Sequence, residues 1–366
     1  MDSCTMNQST PTTNELNHSE ERGLLVSDQE VEEITQSLEK VNFMSNTKIH
    51  LVKYQGFWYP SGTDLFSGLL FFQRHFVAQN TDLMVNSFPK TGTTWLKSLL
   101  FSVVNRVKYP PKQSPLLTHN PHQLVYDLET DIYAGLNPTH PRPHQLPQLP
   151  SPRLLHSHLP YPLLPESIKS SSCKIVYISR NPLDTLVSCW KFYPKLLKTY
   201  SGDETYEGPS LQDFFEDFCN GSVYFGPFFD HVLGYWKLSL EKPNKVLFLK
   251  FEDLKENPSF YLKKLAEFVG MPFSPLEEKE GVIEEIIELC SIGSLKELEV
   301  NKSGSIHQYC ENKGFFREGK VGGWKNYLTP SMADRMKKLM EDKLAGTNLS
   351  FKLEPEENNL LENIVV

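Results

Sequence analysis

A buried strand that runs straight into a glycine loop and then into an apolar helix is the feature that most restricts this chain. Leu83 to Phe88 (LMVNSF) has the length and apolarity of a short strand buried on both faces, and Thr93 to Arg106 carries a helical pattern. Between them lies Pro89-Lys90-Thr91-Gly92-Thr93-Thr94-Trp95. The same order recurs. Lys174 to Ser179 (KIVYIS) reads as a second strand, with Pro182 opening the next helix, where a missing N–H costs nothing. Lys245 to Phe251 (KVLFLKF) reads as a third, followed by a helix ending near Gly270. Strands alternating with helices predict an α/β fold with a central parallel sheet flanked by helices on both faces. Ligands of such sheets bind beyond the carboxyl ends of the strands, so the loops after these strands are the places to look.

The rest of the chain reads as one domain with loose ends. Residues 1–27 are rich in Ser, Thr, Asn and Glu and are expected to be disordered; residues 28–352 form the domain and 353–366 a loose acidic tail. Gln29 to Glu39 suits an amphipathic helix, and Leu51 to Pro60 is dense in aromatics, as core or pocket wall. Asn137 to Pro152 holds six prolines and reads as a loop within the domain, because a strand-like segment, Arg153 to His158, continues from it. Helical patterns return at Leu276–Leu289 and Ser331–Leu344, on either side of a Gly/Lys/Asn-rich stretch from Asn301 to Gly323.

Charge and composition narrow the function classes. A net charge of −8 over 366 residues argues against nucleic acid or an acidic membrane as a partner, so any anionic ligand needs a local basic pocket. The six cysteines are scattered with no CxxC pair or zinc spacing, and Cys189 and Cys290 read as reduced core thiols. Met1 to Glu21 has no apolar signal core and no run of 18 apolar residues occurs, which together predict a cytoplasmic protein without a membrane span.

The glycine loop carries the first chemistry. A helix start preceded by glycine and hydroxyl residues offers unpaired N–H groups and a positive dipole end to an oxyanion. Lys90 adds a full charge, while Thr93 and Thr94 add hydroxyls. A nucleotide-triphosphate loop needs lysine after its second glycine, whereas here lysine precedes the only glycine, so the loop is P-loop-like without that signature. In Leu155-His156-Ser157-His158-Leu159-Pro160-Tyr161, a neutral histidine suits removal of a hydroxyl proton near pH 7. Arg180, at the end of the second strand, and Ser188, two helical turns on, can grip a phosphate from two directions; taken alone, Arg180 would pair with Asp184. A fourth segment, Phe315 to Lys325 (FFREGKVGGWK), mixes basic residues with glycines.

Together these motifs resemble the cytosolic sulfotransferase family. The heptad is similar to the family's PKSGTTW loop, and the resemblance runs from about Phe57 to Leu344. The Leu-Pro-Tyr segment and Trp-Lys-Asn-Tyr-Leu-Thr-Pro look most like the plant branch. The resemblance implies transfer of a sulfuryl group from 3′-phosphoadenosine 5′-phosphosulfate, a co-substrate, to a hydroxyl of a small acceptor, with no metal. It implies that Lys90, Thr91, Gly92, Thr93, Thr94 and Trp95 bind the 5′ end of the donor, with Trp95 against the adenine. It implies that His158 is the general base and that Lys90 stabilises charge building on sulfate and bridging oxygens. His156 stands where the family has serine and is expected to be a solvated bystander. Arg180 and Ser188 take the 3′-phosphate, and Ser188 restrains Lys90 until an acceptor arrives.

Arg317, Glu318 and Gly319 occupy the family's Arg-Lys-Gly, and Gly319, Gly322 and Lys325 keep its GxxGxxK arrangement. Four departures stand out. Glu318 replaces lysine, Gly323 replaces aspartate, Phe251 replaces a tyrosine that faces the donor, and Ile292 replaces an aromatic on the adenine side. A carboxylate beside a phosphate weakens binding, with Lys320 expected to supply the missing charge from two residues away. These departures keep open a second class, a catalytically impaired protein that holds the donor or its desulfo product. A kinase or NTPase with a variant loop would need a lysine after the glycine and a magnesium-binding aspartate. Phe57, Trp58, Tyr126, Tyr133 and Phe192 are candidate walls of an acceptor pocket, for a flavonoid, steroid-like hormone, hydroxyjasmonate or desulfoglucosinolate. No stretch after Trp324 matches the family's dimer motif, and the oligomeric state is left open.

Overall fold

The computed structural model describes residues 27–44, 46–61, 63–307 and 310–355. The expectation of disorder for residues 1–27 falls almost wholly outside them, as does the tail beyond Pro355. The tail's first residues are not loose: the Leu353 carbonyl accepts from Trp324 Nε1 at 2.9 Å, and Glu354 pairs with Lys325 at 2.8 Å.

Three strands, β1 (Lys40–Phe43), β2 (Asn46–Tyr54) and β3 (Phe57–Pro60), make a small antiparallel sheet. The aromatic stretch Leu51 to Pro60 is thus a hairpin, turned by Gln55 and Gly56 at φ +49° and +89°, the left-handed pair a two-residue connection requires. The main sheet is parallel throughout. Its order is β5 (Tyr126–Asp127), β6 (Leu154–Ser157), β4 (Leu83–Ser87), β7 (Lys174–Ser179), β8 (Val246–Lys250).

Every residue of β4 is buried, as a central parallel strand covered on both faces must be. Alternation along the strands divides the core. Met84, Ile175 and Tyr177 face a layer holding Phe66 and Phe71 of α2 (Thr63–His75) and Phe228 and Val232 of α5 (Phe228–Glu241). Leu83, Val85, Val176 and Ile178 face the other layer. It holds Leu96 and Leu100 of α3 (Thr93–Asn105), Leu262 of α6 (Pro258–Phe268) and Ile286 of α7 (Val282–Leu289). Further helices are α1 (Asp28–Gln36), α4 (Pro182–Ser201), a ten-residue helix over Leu211–Asn220, and α8 (Pro330–Leu344).

Several boundaries move for identifiable reasons. Phe251 opens a short helix instead of closing β8, and that helix ends at Asn257, which the following Pro258 bars from helical backbone. The pattern read as one helix over Leu276–Leu289 breaks at Gly281, φ +76°. Cys189 and Cys290 are buried free thiols. Among the described residues no helix is long and apolar enough to cross a membrane.

Candidate active site

The ends of β4, β6, β7 and β8 deliver Lys90, His158, Arg180 and Phe251 to one end of the sheet. Lys90 carries φ +68° and Gly92, the cap of α3, φ +115°, a turn that lifts the loop clear of the strand. A Cβ on Gly92 would stand 2.9 Å from the Phe251 ring and 3.0 Å from Ile178, so only glycine fits. The first intrahelical bond is Leu96 N–H to the Gly92 carbonyl, 3.0 Å, which leaves the N–H groups of Thr93, Thr94 and Trp95 aimed off the helix start.

One cavity is lined by Lys90, Gly92, Thr93, Thr94, Trp95, His158, Arg180, Ser188, Phe251, Arg317, Glu318 and Gly319. Thr91 is the exception among the predicted residues. Its hydroxyl is buried and turned inward between the carbonyls of Phe88 (2.7 Å) and Ile178 (3.0 Å), where it ties the loop to two strands. Thr93 is bonded to Ser87 (Oγ1 to Oγ, 2.7 Å) and Thr94 to His122 (2.9 Å). The Arg180 guanidinium lies over the Phe251 ring at 4.8 Å, and Trp95 meets the same ring edge-on at 5.4 Å. Phe251 is therefore a platform under the loop, a role that needs a ring and no hydroxyl. Arg180 does pair with Asp184, at 3.4 Å, but its Nε is buried without a partner, and the Ser188 hydroxyl has no hydrogen-bond partner among the described residues.

Other expectations are corrected. Lys90 does not rest on Ser188; its Nζ sits over the Phe192 ring at 3.7 Å, and burial pushes its pKa down to about 8. Lys320 sends an exposed side chain outward and contributes its carbonyl, which accepts from Arg180 Nη2 at 2.5 Å. Glu318 does face the cavity, with Arg317 at 3.6 Å holding its charge from the side. Ile292 packs under Gly319, whose missing Cβ would meet it at 2.3 Å. Of the five aromatics proposed as acceptor walls, Phe192 lines both cavities at this end of the sheet; Tyr133 packs on Phe71 and Phe72, and Phe57 and Trp58 are core.

The geometry of His158 is specific. Its Nδ1 lies 2.8 Å from the Ser87 carbonyl, which can only accept, so Nδ1 carries the hydrogen and Nε2 keeps its lone pair. Burial pushes its pKa down to about 4, leaving the ring neutral near pH 7. Its main chain is clamped three ways: Glu129 accepts from His158 N–H, His231 Nε2 donates to the His158 carbonyl at 2.9 Å, and Tyr235 donates to the Leu159 carbonyl at 2.7 Å. His156 is no solvated bystander. It is fully buried, its Nδ1 on Asp127 at 2.9 Å and its ring edge-on to His158 at 4.3 Å. Asp127, His156 and His158 bring ligating atoms within 4.8 Å of one another, but both Nδ1 atoms are already committed to protein partners.

A second cavity opens on the other side of His158. Apolar side chains dominate it, Phe43, Ile49, Leu65, Leu196, Tyr224 and Phe225 among them, and His122 and His158 line both cavities. Its charged lining is acidic, Asp127 and Asp131, with no lysine or arginine among the described residues. The sequence reading passed over Lys97, His122, Asp127, Glu129 and His231. The one visible signal was the alternation of acids with apolar residues in Val125 to Ile132 (VYDLETDI), unusual for a surface loop.

Comparison with known proteins agrees with this arrangement. A family model described as the sulfotransferase domain matches residues 80–348. The chain is 48% identical over 303 residues to Cytosolic sulfotransferase 5 of Arabidopsis thaliana, covering 82% of this chain and 90% of that one. It is 46% identical over 310 residues to Cytosolic sulfotransferase 6 of the same plant, covering 84% and 91%. The crystal structure of an Arabidopsis thaliana candidate steroid sulphotransferase matches with TM-score 0.66 and 35% identity over 87% of this chain and 94% of that one. Mouse sulfotransferase SULT7A1, solved in complex with PAP, matches with TM-score 0.60 and 27% identity over 81% and 94%. The chain belongs to the sulfotransferase family, and it is similar to plant cytosolic sulfotransferases over most of its length.

Proposed function

We propose that this protein is a cytoplasmic enzyme that moves a sulfuryl group from 3′-phosphoadenosine 5′-phosphosulfate to the hydroxyl of a small, neutral, largely apolar acceptor. The observation that carries the reading is the position of His158, neutral and with a free Nε2 lone pair, in the wall shared by a basic cavity and an apolar one. The acceptor hydroxyl gives its proton to His158 Nε2 as its oxygen bonds to sulfur. The sulfur–bridging oxygen bond breaks and its electron pair stays with the 5′-phosphate. Lys90 and the N–H groups at the start of α3 face the charge that gathers there. The donor fits the vacant groups of the basic cavity: the partnerless Arg180 Nε and Ser188 hydroxyl suit its 3′-phosphate, and Trp95 its base. The names of the plant relatives and the PAP held by the mouse neighbour support the donor and the compartment.

For the acceptor, the apolar wall and the absence of lysine and arginine from its described lining favour a steroid-like or flavonoid hydroxyl. A carboxylate-bearing hydroxyjasmonate would face the ionised Asp127, and a sugar-bearing desulfoglucosinolate would set most of its hydroxyls against a largely apolar wall.

The test has two parts. His158→Ala should lower turnover about 10²- to 10⁴-fold, the worth of a general base, while 3′-phosphoadenosine 5′-phosphate still raises the melting temperature as in wild type. Retained turnover would remove His158 from its role. An acceptor panel should then rank neutral ring alcohols above hydroxyjasmonates, and the opposite ranking would overturn the acceptor reading alone. Binding of the nucleotide with no transfer to any acceptor would instead favour the impaired binder that Glu318 keeps in play.

A further inference from the structure

Lys97 and His122, which the proposed reaction does not use, form with Thr94 a chain leading into the donor loop. Lys97, on α3, has no exposed surface. Its Nζ lies 3.1 Å from the Val125 carbonyl and 3.1 Å from His122 Nδ1. His122 Nε2 in turn lies 2.9 Å from Thr94 Oγ1, and Thr94 lines the donor cavity.

Elementary hydrogen-bond accounting fixes the direction of every proton in this chain. An ammonium group has donors and no acceptor. His122 Nδ1 facing Lys97 must therefore be the bare nitrogen, and in a neutral ring the hydrogen then sits on Nε2. Two facts keep the ring neutral and the lysine charged. Burial, followed by the Lys97 charge, holds His122 well below its usual pKa. Lys97 is pushed down by burial, to about 8, with Asp127, Asp131 and Glu129 opposing the shift, so it is protonated near pH 7. Since Nε2 donates, Thr94 Oγ1 must accept. Its own hydrogen then has no protein acceptor among the described residues and the open cavity ahead of it.

We propose that Lys97 and His122 are positioning residues that lock the Thr94 hydroxyl as a hydrogen-bond donor toward the 5′ end of the bound nucleotide. The alternative orientation, Thr94 donating to His122, would set an N–H of the ring against the lysine ammonium. A free threonine hydroxyl rotates among three staggered positions and donates or accepts in each. Here one lone pair is occupied before the ligand arrives, so the cost of orienting the group is met in the folded protein. His122 also stacks on Phe315, ring centroids 4.1 Å apart, and Phe315 lies two residues before Arg317. The same ring thus touches the loop that receives the nucleotide and the segment that covers it.

The inference rests on the donor reading above, and its test separates the two. Binding of 3′-phosphoadenosine 5′-phosphate to the full chain is measured by calorimetry, with donor KM and kcat measured beside it. If wild type fails to bind, the donor reading falls. Given wild-type binding, His122→Phe keeps the stack on Phe315 and removes both nitrogens, and should weaken nucleotide binding and raise donor KM about tenfold. His122→Gln, whose amide can still donate toward Thr94, should recover most of that loss. Thr94→Val, which leaves Lys97 and His122 untouched, should reproduce the tenfold loss even if His122→Phe does not fold. In the Thr94→Val background, His122→Phe should change binding less than about twofold. Full-size additive losses, or a Thr94→Val protein that binds like wild type, would overturn the proposal and leave His122 a packing residue.

Discussion

Glu318 and Gly323, which depart from the family's lysine and aspartate, make sense as a pair. A Cβ at position 323 would stand 3.8 Å from Glu318 Oε2 and 3.6 Å from Asp184 Oδ1. An aspartate there would set a third carboxylate against two, whereas a lysine at 318 would give it a cation to meet. Losing the lysine thus removes the reason for the aspartate, and glycine relieves the repulsion. The expected outcome is non-additive. Gly323→Asp alone should raise donor KM several-fold, Glu318→Lys alone should lower it, and the two together should do better than the sum of their effects. Steady-state kinetics on the three variants checks this, and strict additivity would refute the coupling. Lys90 stood out in the sequence because a charge and hydroxyls beside a glycine loop form a local pattern, whereas His158, Arg180 and Ser188 took their expected roles from the family resemblance. Lys97 and His122 were not legible. Their meaning arises only when a lysine on a helix and a histidine 25 positions later face each other across a buried gap.

Whole strands were legible where burial is total. β4 and β7 carry apolar runs, Leu83 to Val85 and Ile175 to Ile178, because both faces are covered, and the sequence marks the two strands to within a residue. β5 left no mark: two residues of edge strand are too short for any period to register. The start of β6 depends on an ion pair that no pattern announces. Arg153 donates to both carboxylate oxygens of Asp82, through Nε at 2.7 Å and Nη2 at 2.5 Å, with both side chains buried. Removing one partner strands the other charge in the interior. Arg153→Leu should cost about 3–5 kcal/mol, read from the midpoint and slope of denaturant unfolding, and Asp82→Asn a comparable amount. A loss under about 1 kcal/mol would mean that water reaches Asp82. β6 ends one residue before His158, so these variants should also lower turnover out of proportion to nucleotide binding.

For the molecule as a whole, the same burial that builds two cavities around one histidine also sets the pH range of the reaction. The proposed reaction needs His158 neutral and Lys90 charged at once. Burial lowers both pKa values, to about 4 and about 8, so the first condition holds above the lower value and the second below the upper one. Activity should therefore be level between roughly pH 5 and 7 and fall on both sides. Lys97, lowered to about 8 as well, adds to the alkaline decline. A profile of kcat/KM for donor from pH 4 to 9.5 checks this; an acid limb near 6.5, where an unburied histidine titrates, would show that His158 is wetter than its surroundings suggest.

Asp184, which pairs with Arg180, also accepts from the N–H groups of Gly322 and Trp324, each at 2.9 Å. Trp324 and Lys325 in turn grip Leu353 and Glu354. Arginine, turn and tail are links of one latch, so the last described residues are tied mechanically to the proposed nucleotide seat. A purification tag or reporter fused just after Pro355 would pull on that latch.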